Sequence, residues 1–110
     1  MTLDDLTSYG ANVHEGLTRC MNNEGFYLSL VESIKDEEGF DKLNDAIAAN
    51  DLGAAFDIAH SLKGILANLA LTPLYEPVYE ITELLRSKEA ADYPALVEDI
   101  LRKRDEFRAL

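Results

Sequence analysis

From residue 24 onward the apolar residues recur at steps of three and four, a period that fits helices and not strands. Ala55, Ile58, Leu62, Ile65 and Leu69 make the longest such series and predict one core-facing stripe on a helix over about residues 52–70. Phe26, Tyr27, Leu30, Val31 and Ile34 predict another helix over about 24–35, and Phe40, Leu43 and Ile47 a third after Gly39. Leu74, Val78, Ile81 and Leu85 supply the inward face of the next helix, and Val97, Ile100, Leu101 and Phe107 that of the last.

The expected boundaries follow from capping chemistry. Asp51 is placed to cap the helix that begins at 52, because its carboxylate can accept from the free N–H groups of the first turn. Thr72-Pro73 reads as a cap followed by proline in the first helical position, where a missing N–H costs nothing. Asp92 and Pro94 open the final helix. Ahead of residue 24, Thr2 caps a short helix that Gly10 ends, with Asp4 and Asp5 in its positive first turn. Asn12 caps a second, running to about Cys20, and Asn22-Asn23 break the chain again.

With only three prolines and six glycines to turn the chain, a many-stranded fold is disfavoured. The expected fold class is all-α: an antiparallel up-down four-helix bundle with short additional N-terminal helices. Residues 1–110 are expected to form one domain, with the short helices over 1–22 and the helical bundle over 23–110. Apolar residues make up 47% of the chain, enough to fill one core.

Charge narrows the partners. Ten Lys and Arg against 21 Asp and Glu give a formal charge of −11, which repels nucleic acid and anionic lipid. A lone Cys20 precludes an internal disulfide and is expected to be a small buried hydrophobe. The chain holds no apolar stretch of membrane-spanning length, and Met1-Thr2-Leu3-Asp4-Asp5 lacks the basic start of a signal peptide. A cytoplasmic location and a monomeric state are the expectations.

Opposite the apolar stripe of the 52–70 helix lies its most informative face. At about 100° per residue His60 opposes Leu69 nearly antipodally, and its neighbours on the outer face are Phe56, Lys63, Gly64 and Ala67. Phe, Gly and Ala facing outward suit a surface that another protein covers, and Phe56 and Ala67 are the expected partner contacts. Neutral imidazole carries a nucleophilic nitrogen at neutral pH. Lys63 is the only Lys or Arg between Lys42 and Arg86, an isolated cation one turn from His60. Gly64 costs about 1 kcal/mol of helix stability relative to alanine, so its place on the histidine's own face suggests clearance for a partner.

Ala59-His60-Ser61-Leu62-Lys63-Gly64, followed by Asn68-Leu69, resembles the signature of the histidine-containing phosphotransfer (HPt) domains of two-component phosphorelays. The resemblance extends through Phe40 to Asn50 and Leu71 to Glu76, and covers most of the chain after about residue 22. It departs at Ala70, where the family commonly has glycine, and at Leu66, where it often has smaller residues. The resemblance implies a four-helix bundle in which His60 is the phosphoacceptor, Lys63 supports the phosphoryl group and Gly64 gives the partner clearance. It implies relay of the phosphoryl group to or from the aspartate of a response-regulator receiver domain or a hybrid sensor histidine kinase. The chain would then be a carrier with no ATP site, consistent with the lack of any Gly-rich phosphate loop, and not an enzyme. It would need no cofactor, Mg²⁺ belonging to the partner receiver domain.

Two other functions compete. One is an adaptor of the same fold that binds receiver or kinase domains without phosphotransfer. The other is a metal-dependent helical oxidoreductase, disfavoured because the single Asp57-x-x-His60 element is not repeated on a second helix. Asp57 either orients the imidazole or is a polar surface residue, and Asn68 either serves the site or makes a structural hydrogen bond. His14 is expected to be inert, and Glu76, Glu80 and Glu83 to form a solvated carboxylate row.

Overall fold

The computed structural model describes all 110 residues. Seven α-helices follow one another: α1 (Leu3–Tyr9), α2 (Val13–Arg19), α3 (Glu24–Ser33), α4 (Gly39–Ala48), α5 (Leu52–Asn68), α6 (Thr72–Arg86) and α7 (Tyr93–Arg108), with a 3-10 turn at Ile34–Asp36 between α3 and α4. The predicted caps form. Thr2, Asn12, Asp51 and Asp92 each accept from the backbone N–H three residues on, and Asp5 returns a bond to Thr2 in a reciprocal capping box. One boundary differs. Leu71 is the cap of α6 and Thr72 its first helical residue, so the threonine hydroxyl makes no cap bond.

Four helices close a ring. α5 lies between α4 and α6, and α7 completes the circuit by packing on both α4 and α6. Consecutive members are joined by short corners at 49–51, 69–71 and 87–92, which turn each helix back along its predecessor and make the up-down antiparallel bundle the period implied. Close approach of α4 to α5 depends on Gly39, because a Cβ there would stand 2.8 Å from Leu62 Cδ2. α1–α3 pack outside the ring, and Leu6, Cys20, Tyr27 and Val31 extend its core toward them.

Several inward faces are turned relative to expectation. In α5 the buried stripe is Ala55, Ala59, Leu62, Leu66 and Leu69; Ile58 sits at its rim and Ile65 is 39% exposed. At about 100° per residue this stripe is centred some 40° from the expected one. The cause is the bundle itself: α5 is flanked on two sides, and the small Ala55 and Ala59 admit neighbours where larger side chains would hold them off. Phe26, expected inside α3, is exposed, while Tyr27, Val31 and Ile34 are buried. In α7, Arg104 takes an inward position that the apolar period did not show. It is almost fully buried, bonded at 2.9 Å to Asp41 of α4 and to Asp105, with its guanidinium 5.9 Å from the Phe40 ring centroid.

Candidate functional site

The C-terminal end of α5 is tied down by residues from outside the four-helix ring. The last carbonyls of a helix lack intrahelical donors. Here Arg19 of α2 donates to the Ala67 carbonyl, Tyr27 of α3 donates its hydroxyl to the Leu69 carbonyl at 2.9 Å, and Asn12 donates its N–H to the Ala70 carbonyl at 3.0 Å. At the other end Asp51 accepts from the Ala54 N–H at 3.1 Å. The helix that carries the histidine is therefore held at both termini.

His60 is exposed on α5, as expected. Its ring stacks on the Phe56 ring one turn earlier, with centroids 5.7 Å apart and planes 11° from parallel. Phe56 is half-buried, so it is a fixed shelf beneath the imidazole. Because the core stripe is turned, His60 leans toward α6 and does not point straight away from the core; it stands about 140° from the stripe's centre. Gly64 is exposed, and a Cβ built on it would meet nothing within 4 Å. No packing within the chain requires a glycine there.

Lys63 differs from expectation in its surroundings. It is not an isolated cation. Its side chain is 20% exposed and its Nζ lies 3.6 Å from Glu83 Oε1 on α6, with the Tyr79 ring centroid 5.8 Å away. Glu83 also holds Arg86, Oε2 to Nε 3.3 Å, and the Arg86 guanidinium lies 5.0 Å from the Phe56 ring centroid. The carboxylate row on α6 is thus not uniformly solvated: Glu83 belongs to the face that carries His60. Sequence reasoning missed Glu83 and Arg86. The signal available was the series Tyr75, Tyr79, Glu83 and Arg86, at helical spacing beside the core face of α6.

Ala67 is half-buried and sits further along α5, lining a depression with Glu15, Arg19, Tyr75 and Glu76. It borders the His60 face without adjoining the imidazole. Asp57 is exposed on the other side of the histidine, in a depression with Asp36, Glu37 and Ser61. Asn68 and His14 are exposed. Cys20 is buried and free, matching its expected role as a small hydrophobe.

Chemically, the face presents an accessible imidazole on an aromatic shelf, an open approach over Gly64, and two cations joined through one carboxylate. No helix is long and apolar enough to cross a membrane. Comparison with curated proteins and with solved structures gave no match. A family model described as Hpt domain matches residues 34–110, which span the 3-10 turn and the whole four-helix ring with His60, Lys63 and Gly64 inside it. By that match, on an all-helical bundle, the chain belongs to the Hpt domain family, whose members serve histidine phosphotransfer in two-component signalling.

Proposed function

We propose that the protein accepts a phosphoryl group on His60 and relays it to or from the aspartate of a response-regulator receiver domain or of a hybrid sensor kinase. The observation that carries this reading is an exposed imidazole stacked on Phe56, with open space over Gly64 beside it on the same helix. A receiver's aspartyl phosphate would approach along that opening. A neutral ring nitrogen attacks phosphorus, the P–N bond forms as the P–O bond to the aspartate breaks, and the partner keeps its carboxylate. The imidazole retains the proton on its other nitrogen, so the step calls for no base on this chain. Reversal lets a receiver carboxylate displace the imidazole.

Such a transfer is mostly positioning and charge stabilisation. Phe56 fixes the plane of the ring through the stack, and Lys63 supplies charge to the phosphoryl oxygens, a task suited to an ammonium on a flexible stem. The aspartate pocket and its Mg²⁺ are assigned to the partner, and the chain acts as carrier without an ATP site. Phe56 and Ala67 are assigned to the partner's footprint.

Incubation with a phosphorylated receiver domain tests this. The expected result is an acid-labile, alkali-stable label on the wild type and none on His60→Gln. Label persisting on that variant would place the acceptor elsewhere. Stable binding of the receiver with no label on the wild type would favour the adaptor reading.

A further inference from the structure

Glu83 stands between the two cations of the His60 face. One carboxylate oxygen is 3.6 Å from Lys63 Nζ and the other 3.3 Å from Arg86 Nε. The Arg86 guanidinium in turn lies 5.0 Å from the centroid of the Phe56 ring, on which the His60 ring also stacks. Glu80, on the same helix, is exposed and Glu76 borders the separate depression near Ala67, so Glu83 is the acidic residue of α6 that engages both cations.

We propose that Glu83 is a positioning residue that competes with a phosphoryl group on His60 for Lys63 and Arg86, and thereby sets the lifetime of the phosphohistidine. The proposal rests on the reading of His60 as phosphoacceptor. A phosphoryl group brings nearly two negative charges and three acceptor oxygens, against one charge and two oxygens on Glu83. Both cations have flexible stems and can swing between the two anions. What they give the phosphoryl group is then only the difference between the two pairings. A carrier needs that difference to be small, because a phosphoryl group held too firmly would not be passed on. Glu83 keeps the cations ordered and close while His60 is bare, and keeps the charged state labile.

The test uses phosphoramidate, a small donor that passes its phosphoryl group to imidazole and releases ammonia, so no partner protein is involved. Decay of phosphohistidine is followed by phosphorus NMR in the wild type, in Glu83→Gln, and in both again on a Lys63→Met, Arg86→Met background. Gln keeps the size of Glu83 on a part-exposed site while removing its charge. The expected outcome is decay slowed about two- to fivefold by Glu83→Gln in the wild type, the range that a part-exposed ion pair can supply. On the background lacking both cations the slowing should vanish. Equal slowing on both backgrounds would show plain repulsion by a nearby carboxylate and overturn the proposal, as would unchanged decay in Glu83→Gln. Failure of the wild type to take label at His60 would instead overturn the phosphoacceptor reading on which the proposal stands.

Discussion

Gly16, Gly39 and Gly64 all lie within helices, yet they answer to different demands. A Cβ on Gly16 would stand 2.5 Å from the Tyr27 ring, and one on Gly39 would press on Leu62, so both are required by packing within the chain. Gly64 has no neighbour to spare. A side chain there is sterically free and would remove the helix penalty of glycine, about 1 kcal/mol. Gly64→Leu is therefore expected to raise the thermal midpoint slightly while slowing transfer from a phosphorylated receiver at least about tenfold, since a branched side chain would occupy the approach to His60. Thermal unfolding and a transfer time course measure the two effects separately. Unimpaired transfer would remove the clearance role.

At the same scale, the electrostatics of the face are not those of a lone lysine. Lys63 is already paired with Glu83, and that carboxylate is shared with Arg86. The histidine, lysine and glycine were legible because they lie within five residues of one another on one helix, where the geometry is set by the helical repeat alone. Glu83 and Arg86 come from α6, some twenty residues further on, and no local rule ties them to His60.

Helix ends show a second regularity. α1, α2, α4, α5 and α6 each stop at a residue with positive φ: Gly10, Met21, Asn50, Ala70 and Lys88. In each case the next N–H reaches back five residues, as Leu71 does to the Leu66 carbonyl at 3.1 Å. This is the Schellman closure, which satisfies carbonyls that the helix leaves bare. Leu66 and Leu71, joined by the backbone bond of the α5 closure, are both fully buried, so the large Leu66 is accommodated as part of the core. Of these five, only Gly10 and Asn50 are residue types that favour such a conformation; the sequence placed the end of α1 at Gly10, and that of α2 by the Asn22-Asn23 break beside Met21.

Ala70 has φ +55°, where a Cβ crowds the following carbonyl oxygen. Glycine at this place relieves that strain but frees the unfolded chain and gives up one buried methyl. Ala70→Gly is expected to stabilise the protein by up to about 1 kcal/mol, read as a higher denaturant midpoint at unchanged slope. Lys88→Gly, at φ +54° and exposed, loses no buried methyl and is expected to gain at least as much. A lower midpoint in both would show that the left-handed corners carry no strain.

Over the whole molecule, the residues before 34 lie outside the family match yet hold the site in place. Asn12, Arg19 and Tyr27 satisfy the end of α5, and Gly16 admits the Tyr27 ring that makes one of those bonds. The same region carries the one buried side-chain polar atom without a partner, the Tyr9 hydroxyl, against whose ring Phe107 packs at 5.6 Å. Burial, with the Glu106 carboxylate adding to it, pushes the Tyr9 phenol up to about 12 from its ordinary value of 10. Burial also raises Tyr27.

A phenol raised in the folded state favours folding below its unfolded value, and that advantage is lost as pH climbs toward the folded value. Stability should thus be flat with respect to Tyr9 below pH 10 and decline between 10 and 12. Tyr9→Phe removes both the unpartnered hydroxyl and this titration. It is expected to leave the midpoint at pH 7 unchanged or raise it by up to about 1 kcal/mol in stability. The fall above pH 10 should become shallower, with Tyr27 sustaining the remainder. Thermal midpoints measured from pH 8 to 12 decide this, and an identical alkaline fall in the variant would refute it.

By itself the sequence determined the helices, most of their N-terminal caps, and the His60, Lys63 and Gly64 face. Each of these depends on residues within a few positions, where the repeat and the cap geometry act locally. Only the tertiary structure decided which side of α5 is buried, because that depends on where α4 and α6 approach it. It also decided that Arg104 turns inward to Asp41, that α2 and α3 secure the end of α5, and that Glu83 binds the cations beside His60. Except for the Glu83–Arg86 pair within α6, those contacts join residues about twenty to sixty positions apart, and an apolar period carries no information about which polar side chains will meet once the helices are side by side.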